Sequence, residues 1–207
     1  YRNSLEKKKT LNAWYLMPKT TYSLFQYLNS PTFVDRLSAG FGRPLFADSG
    51  LHGGGWHIHA DGGNLNPHLD YSIHPKLGLQ RLVNIIIYVS PDIRECHGGH
   101  LGFWGHNEKE SCPGVLVKEI APLFNRAVIF NTSQNSWHGM SRPLMLPNTI
   151  FRQSLAAYYL CEPMDTAGTN DRALFAPRQD QLGDEEIKDL IKARTSSATS
   201  ASVYRKD

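Results

Sequence analysis

Three residues of this chain have the types and spacing to hold a metal ion between them: His68, Asp70 and His138. In Asn66-Pro67-His68-Leu69-Asp70 the histidine and the aspartate stand at i and i+2, which in a strand point to one face about 7 Å apart. Such a pair can converge on one ion, one giving imidazole nitrogen and the other carboxylate oxygen. A third ligand must come from a segment distant in sequence, and Ser136-Trp137-His138-Gly139, seventy residues on, supplies one just before a turn. Two histidines and one carboxylate form a facial triad that leaves three octahedral positions open; a structural zinc site would close all four of its positions. A lone His-x-Asp, or one His before Gly, is common and says little. The weight comes from Arg152-Gln153-Ser154, fourteen residues after His138. A guanidinium in a mostly apolar cavity binds a carboxylate in bidentate fashion, and a buried arginine without such a partner is costly. Ser154 shares its face of the strand and can add a hydrogen bond.

The chain has nine histidines, and the others have competing readings. His57-Ile58-His59 is a rival strand pair of the kind cupins use, but the glutamate that should follow is missing from Ala60-Asp61-Gly62-Gly63-Asn64. Cys96, His97, His100 and Cys112 have the types for a zinc knuckle with irregular spacing, which favours surface or turn roles. His52, His74 and His106 read as loop residues. Trp56, Phe103, Trp104 and Trp137 read as sheet-face aromatics of the core, some of them at a substrate mouth. Arg81 reads as an exposed arginine, either a contact for an anionic or carbonyl-bearing substrate or a plain solvent-facing residue. No Ser–His–Asp arrangement, GxGxxG or Walker pattern is present.

The elements that must position these residues change character along the chain. Residues 1–50 carry helical signals, with caps at Ser4-Leu5-Glu6 and Thr20-Thr21-Tyr22 and a strong start at Ser30-Pro31 that Gly40 would stop. Residues 51–163 alternate short β-rich runs with turn residues. Strands are predicted near Trp56–Ala60, Leu65–Ser72, Arg81–Ser90, His100–Trp104, Gly114–Ile120, Ala127–Asn131, Ser136–Met140 and Phe151–Cys161, with turns at Asp61-Gly62-Gly63-Asn64 and Asn125-Arg126. Eight short strands suggest a jelly roll that encloses a small cavity between two sheets. Residues 164–207 return to helix, from Asp184-Glu185-Glu186 to about Arg194, with a frayed Ser/Thr/Ala-rich tail over Thr195–Val203. The three segments together make one domain.

Composition narrows the class. The 207 residues carry 22 basic and 19 acidic side chains, a net charge of +3, too balanced to signal nucleic-acid binding. The run Lys7-Lys8-Lys9 reads as a solvated helix face. The three cysteines, Cys96, Cys112 and Cys161, are odd in number and form no CxxC pair, which suits a reducing, cytoplasmic setting. No apolar run reaches the roughly 18 residues of a membrane span. No signal-peptide pattern is present, and because the chain begins at Tyr1 rather than Met the question of residues upstream stays open.

Taken in order, His68-x-Asp70, Gly98-Gly99-His100-Leu101, Ser136-Trp137-His138-Gly139 and Arg152-x-Ser154 resemble the Fe(II)/2-oxoglutarate-dependent dioxygenases, on their prolyl 4-hydroxylase-like branch. The resemblance covers about residues 52–162. It implies a mainly β double-stranded β-helix (jelly roll) fold, with N-terminal helices and a short C-terminal helix. It implies Fe(II) on His68, Asp70 and His138, with the far carboxylate of 2-oxoglutarate on Arg152. Tyr88 matches a family tyrosine that contacts the same carboxylate, and Ser154 fills the second position of Arg-x-Ser. His59 stands where a tyrosine often precedes the iron motif, and it is expected to replace that contact. The His138–Arg152 spacing is longer than in many prolyl hydroxylases, which keeps Arg142 as the fallback anchor.

The implied activity is hydroxylation of an unactivated C–H bond with dioxygen, releasing succinate and carbon dioxide, with ascorbate as a reductant. The implied substrate is a prolyl or other residue of a peptide or protein, or alternatively a free amino acid, sugar or other small metabolite. Segments His74–Leu79 and Asp92–Gly99, with the N-terminal helices, are the candidates for the substrate rim. A non-catalytic cupin-like metal- or ligand-binding module is the alternative of a different class.

Overall fold

The most apolar stretch of the sequence becomes an inner strand of the largest sheet among the described residues. In the computed structural model, which describes residues 2–168, 170, 172–196 and 203, the elements run β1 (Glu6–Lys7), β2 (Lys9–Leu11), α1 (Lys19–Leu28), α2 (Pro31–Phe41), β3 (Phe46–Ala47), β4 (Gly55–His59), β5 (Asn64–Leu65), β6 (His68–Leu69), β7 (Gln80–Tyr88), β8 (Leu101–Asn107), β9 (Cys112–Ile120), β10 (Ala127–Asn131), β11 (His138–Met140), β12 (Arg152–Cys161), β13 (Leu174–Phe175) and α3 (Glu185–Ser196). One sheet runs β10-β7-β12-β4-β2, with β3 also on β12; the other runs β13-β6-β11-β8-β9, and β1 pairs β5. This is the expected jelly roll of mainly β architecture, with helices before and after it.

The two long strands explain why the larger sheet is buried on both faces. Along β7 and β12 alternate residues point to opposite sides. Val83, Ile85, Leu155, Ala157 and Tyr159 pack outward with Phe25 and Leu28 of α1 in the main core. Asn84, Ile86, Arg152, Ser154, Ala156 and Tyr158 point inward, into a cavity between the sheets. At about 25 cal/mol per Å² of apolar surface removed from water, the helix-covered face supplies most of the cohesion. The inward face is left for chemistry.

Local signals set the α2 boundaries. Ser30 accepts a hydrogen bond from the Phe33 N–H, Pro31 opens the helix, and Gly42, in the left-handed region at φ 66°, closes it two residues beyond the expected stop at Gly40. The strand expected over Leu65–Ser72 is interrupted at Pro67, which has no N–H to give a ladder. It leaves two short pieces, β5 and β6.

The N-terminal reading needs correction. The segment after Ser4 is extended rather than helical: β2 adds to the sheet edge with Thr10 opposite His57. Pairing with an available edge outweighs weak helix propensity. Lys8 accordingly does not sit on a solvated helix face; it lines the cavity and pairs with Glu6 at 3.2 Å. Of the tail expected to fray, Thr195 and Ser196 finish α3, and the stretch beyond lies outside the described residues save Val203. Cys96, Cys112 and Cys161 are free thiols. Among the described residues no helix is long and apolar enough to cross a membrane.

Candidate metal centre and its cavity

Strands β6 and β11 are antiparallel neighbours with His68 directly opposite His138, which puts the two imidazole centroids 4.4 Å apart. Each ring is aimed by its own backbone. The Nδ1 of His68 donates to the Asn66 carbonyl at 3.0 Å, and that of His138 to the Ser136 carbonyl at 2.8 Å. Holding the proton on Nδ1 leaves Nε2 as the free lone pair, the usual arrangement for a ligating histidine. Both Nε2 atoms face Asp70, at 3.8 Å from Oδ1 for His68 and 3.6 Å from Oδ2 for His138. Gly139 allows this approach: a Cβ there would lie 2.6 Å from the Asn66 carbonyl oxygen.

All three side chains are buried, and among the described residues they are the one group of three or more His, Cys, Asp or Glu whose ligand atoms converge, within 4.8 Å of one another. Their electrostatics suit a cation. Burial, reinforced by His138, pushes the His68 imidazole down to about 4, so it stays neutral. Burial alone would raise the Asp70 carboxyl, but His138, Arg81, His68 and the Tyr158 hydroxyl together hold it below the usual range. Asp70 Oδ2 is buried with no hydrogen-bond partner among the described residues, a costly state for a carboxylate unless an ion satisfies it. Two imidazole lone pairs and one carboxylate oxygen, all desolvated, fit a divalent transition metal with positions left open.

Arg152 lies across the same cavity of about 590 Å³. It opens β12 opposite His59 of β4 and is wholly enclosed. Its Nε donates to the Gly99 carbonyl at 2.9 Å, Nη2 to the Tyr88 hydroxyl at 3.4 Å, and Nη1 lies 3.5 Å from His59 Nδ1. Every partner is neutral, since burial holds the His59 imidazole well below its ordinary range and raises the Tyr88 phenol. Burial also lowers the guanidinium itself, as expected of a cation with no anion beside it among the described residues. Ser154 is buried and lines the cavity two residues along the same face. The arrangement leaves a charge-assisted, two-pronged seat for a carboxylate between Arg152 and Tyr88.

Several readings of the sequence change here. Arg142 is half-exposed and pairs with Glu119 at 2.7 Å on the surface, so it does not reach the cavity. His57 lines the cavity beside His59 without joining the metal-ligating group, and burial pushes it down to about 3. Cys96, His97, His100 and Cys112 form no ligand cluster among the described residues. His52 and His74 lie in loops as read, but their rings are 5.1 Å apart and the buried His74 faces Asp48 at 3.7 Å. His106 lies within β8, where it accepts the Trp137 indole N–H at 2.9 Å. Of the two rim segments, His74–Leu79 contributes Pro75 to the lining and Asp92–Gly99 contributes nothing.

Arg81 is 2% exposed rather than solvent-facing. The sequence reading also passed over contributors to the cavity wall, among them Asn84, Tyr158, Thr10 of β2 and Lys8 just before it. The signal for Tyr158 was present, since it shares the strand parity of Arg152 and Ser154. Nothing local announces that β2 joins the sheet.

Comparison with known proteins agrees with this geometry. The 2OG-Fe(II) oxygenase superfamily matches residues 54–160, a stretch that contains the triad and Arg152. A comparison with curated protein sequences finds no match. Among solved structures, a Pseudomonas putida prolyl-4-hydroxylase aligns with TM-score 0.51 at 16% identity, over 78% of this chain and 75% of that one, which shows a shared fold. A Trichoplax adhaerens prolyl hydroxylase in complex with a hypoxia inducible factor peptide fragment aligns with TM-score 0.47 at 18% identity, covering 75% of this chain. A Phytophthora capsici prolyl 4-hydroxylase gives 0.49 at 17%, covering 91%. The chain spans 62% of the length of the Trichoplax protein and 57% of the Phytophthora one. With the family matched over more than half its length, this chain belongs to the 2OG-Fe(II) oxygenase superfamily.

Proposed function

We propose that this protein is an Fe(II)- and 2-oxoglutarate-dependent dioxygenase that hydroxylates an unactivated C–H bond, with dioxygen as oxidant and ascorbate as reductant. The observation that carries the reading is the pairing, in one cavity, of a desolvated His68–Asp70–His138 donor set with a buried arginine whose contacts are all neutral. A bare metal-binding module has no use for Arg152.

The residues divide the work. His68, Asp70 and His138 would hold the iron, with the two imidazole rings aimed by their backbone hydrogen bonds. Arg152 and Tyr88 take the far carboxylate of 2-oxoglutarate, with Ser154 and His59 completing the wall. Arg152 would orient the co-substrate by its far carboxylate and so leave the keto-acid end toward His68, Asp70 and His138 across the cavity. The bound iron supplies oxygen activation coupled to decarboxylation of 2-oxoglutarate to succinate, and the protein supplies orientation and a dry pocket. Three free thiols support a site of action inside the cell.

The fold shared with the Pseudomonas prolyl-4-hydroxylase makes a prolyl or other residue of a peptide the first substrate to try. One observation favours a second reading, a small polar metabolite. The edge at β2 brings the polar side chains of Lys8, Thr10 and Asn12 to the cavity wall, with Thr10 opposite His57 in the strand pairing.

Under nitrogen, Fe(II) followed by 2-oxoglutarate should produce a weak visible charge-transfer band that depends on both and is weakened in His138→Ala and Arg152→Ala. Iron binding without a 2-oxoglutarate-dependent band would sink the co-substrate reading. Succinate release stimulated by proline-containing peptides, against release stimulated by free amino acids and sugars, separates the two substrate classes.

A further inference from the structure

The two oxygens of Asp70 have different surroundings. Oδ1 receives the Tyr158 hydroxyl at 3.3 Å and faces Arg81 Nη1 at 3.5 Å. Oδ2 is buried and receives no hydrogen bond among the described residues. The group that makes this difference is unusually immobile. The Arg81 guanidinium lies between two tyrosine rings, 3.5 Å from the Tyr71 centroid and 3.4 Å from that of Tyr158. Its Nη2 donates to the His52 carbonyl at 2.6 Å, and the Tyr71 hydroxyl donates to that same carbonyl at 3.3 Å. A delocalised planar cation stacked on both faces and hydrogen-bonded at one edge has no freedom to turn away from Asp70.

Both carboxylate oxygens lie within reach of the histidine nitrogens, at 3.8 and 3.6 Å. The backbone alone therefore does not decide whether Asp70 meets a metal through one oxygen or two. We propose that Arg81 and Tyr158 are positioning residues that occupy Oδ1 and so restrict Asp70 to one-oxygen coordination through Oδ2. The consequence is a matter of counting. Two histidines and a single oxygen leave three octahedral positions, whereas a two-oxygen carboxylate would leave two. A bidentate keto acid and dioxygen need three.

This inference rests on the metal-ligand reading of Asp70, and the experiment keeps the two apart. Co(II) is titrated into the metal-free full chain as wild type, Tyr158→Phe and Arg81→Lys, with visible absorption for affinity. The infrared difference spectrum, Co(II)-loaded minus metal-free, reports the carboxylate mode. Its antisymmetric–symmetric splitting is wide for one-oxygen binding and narrow for two-oxygen binding. Wild type should show the wide splitting. Tyr158→Phe keeps the stacked ring and loses only the hydroxyl; it should weaken Co(II) by about 10- to 100-fold, the usual effect of removing an outer-sphere partner, and shift the splitting toward the narrow form. Arg81→Lys should do the same, because an ammonium cannot hold His52 and Asp70 together from between two rings.

A purely structural role would lower thermal unfolding of the metal-free variants and leave affinity and splitting unchanged in the folded protein. That result overturns the proposal. Should Arg81→Lys fail to fold, Tyr158→Phe decides alone. Failure of wild type to bind Co(II) would instead remove the metal-centre reading, and the positioning role with it.

Discussion

Replacing Arg152 with methionine should separate co-substrate binding from folding. The side chain is 6% exposed, and its contacts are the Gly99 carbonyl, the Tyr88 hydroxyl and His59, none of them charged. Two terms act on the stability of the metal-free protein. Losing the hydrogen bond to Gly99 costs about 1.5–3 kcal/mol, as for bonds from charged donors. Removing a buried cation that has no anion relieves a penalty of several kcal/mol, and methionine refills most of the apolar volume. Unfolding free energy is therefore expected to stay level or rise. Binding moves the other way. A carboxylate seated on the guanidinium takes two charge-assisted bonds, about 3 kcal/mol or more together, which corresponds to at least about 100-fold in Kd. Calorimetric titration of 2-oxoglutarate into Mn(II)-loaded protein under nitrogen measures the second quantity, and urea unfolding the first. The reasoning is refuted if the variant binds 2-oxoglutarate like wild type, or if it unfolds far more easily, which would make Arg152 a structural residue.

Three further outcomes follow from the same structure. Arg142→Ala should leave 2-oxoglutarate affinity unchanged in that calorimetric assay, because its guanidinium is spent on Glu119 at the surface. Gly139→Ala should cost about 1–3 kcal/mol in urea unfolding and weaken Co(II) binding, since its Cβ would meet the Asn66 and Leu65 backbone and force β11 away from β6; unaltered Co(II) affinity would contradict this. Stability of the metal-free protein should fall with acidity. His57 and His68 titrate near 6.5 when unfolded but at about 3 and about 4 in the fold, burial being the first cause of each. The unfolded chain thus binds protons that the folded one refuses. The contribution is complete above 6.5 and is lost as pH drops through the folded values, with a slope of about 1.4 kcal/mol per unit for each histidine. Urea midpoints across that range test it, and a flat profile would contradict it.

Most of the long strands of the jelly roll were legible because they depend on local rules, whereas the strand expected over Leu65–Ser72 broke at Pro67. Alternation marks a strand, and i, i+2 spacing puts His68 and Asp70 on one face. Ser30-Pro31 caps a helix whatever surrounds it. Partnership was not legible. Whether the segment after Ser4 coils or extends depends on a vacant edge at β4, formed by residues far along the chain. Arg142 and Arg152 differ little as residues, yet one meets Glu119 in water and the other enters a closed cavity. Arg81 looked like a surface arginine because its stacking tyrosines, Tyr71 and Tyr158, come from separate strands and loops.

The amino-acid sequence by itself therefore determined which chemical groups the protein owns and which of them share a strand face. Only the tertiary structure decided which groups lose their water and whom they meet. Desolvation and charge pairing depend on packing between segments remote in sequence, and these two effects enclose Arg152 among neutral partners and leave the two oxygens of Asp70 in different surroundings.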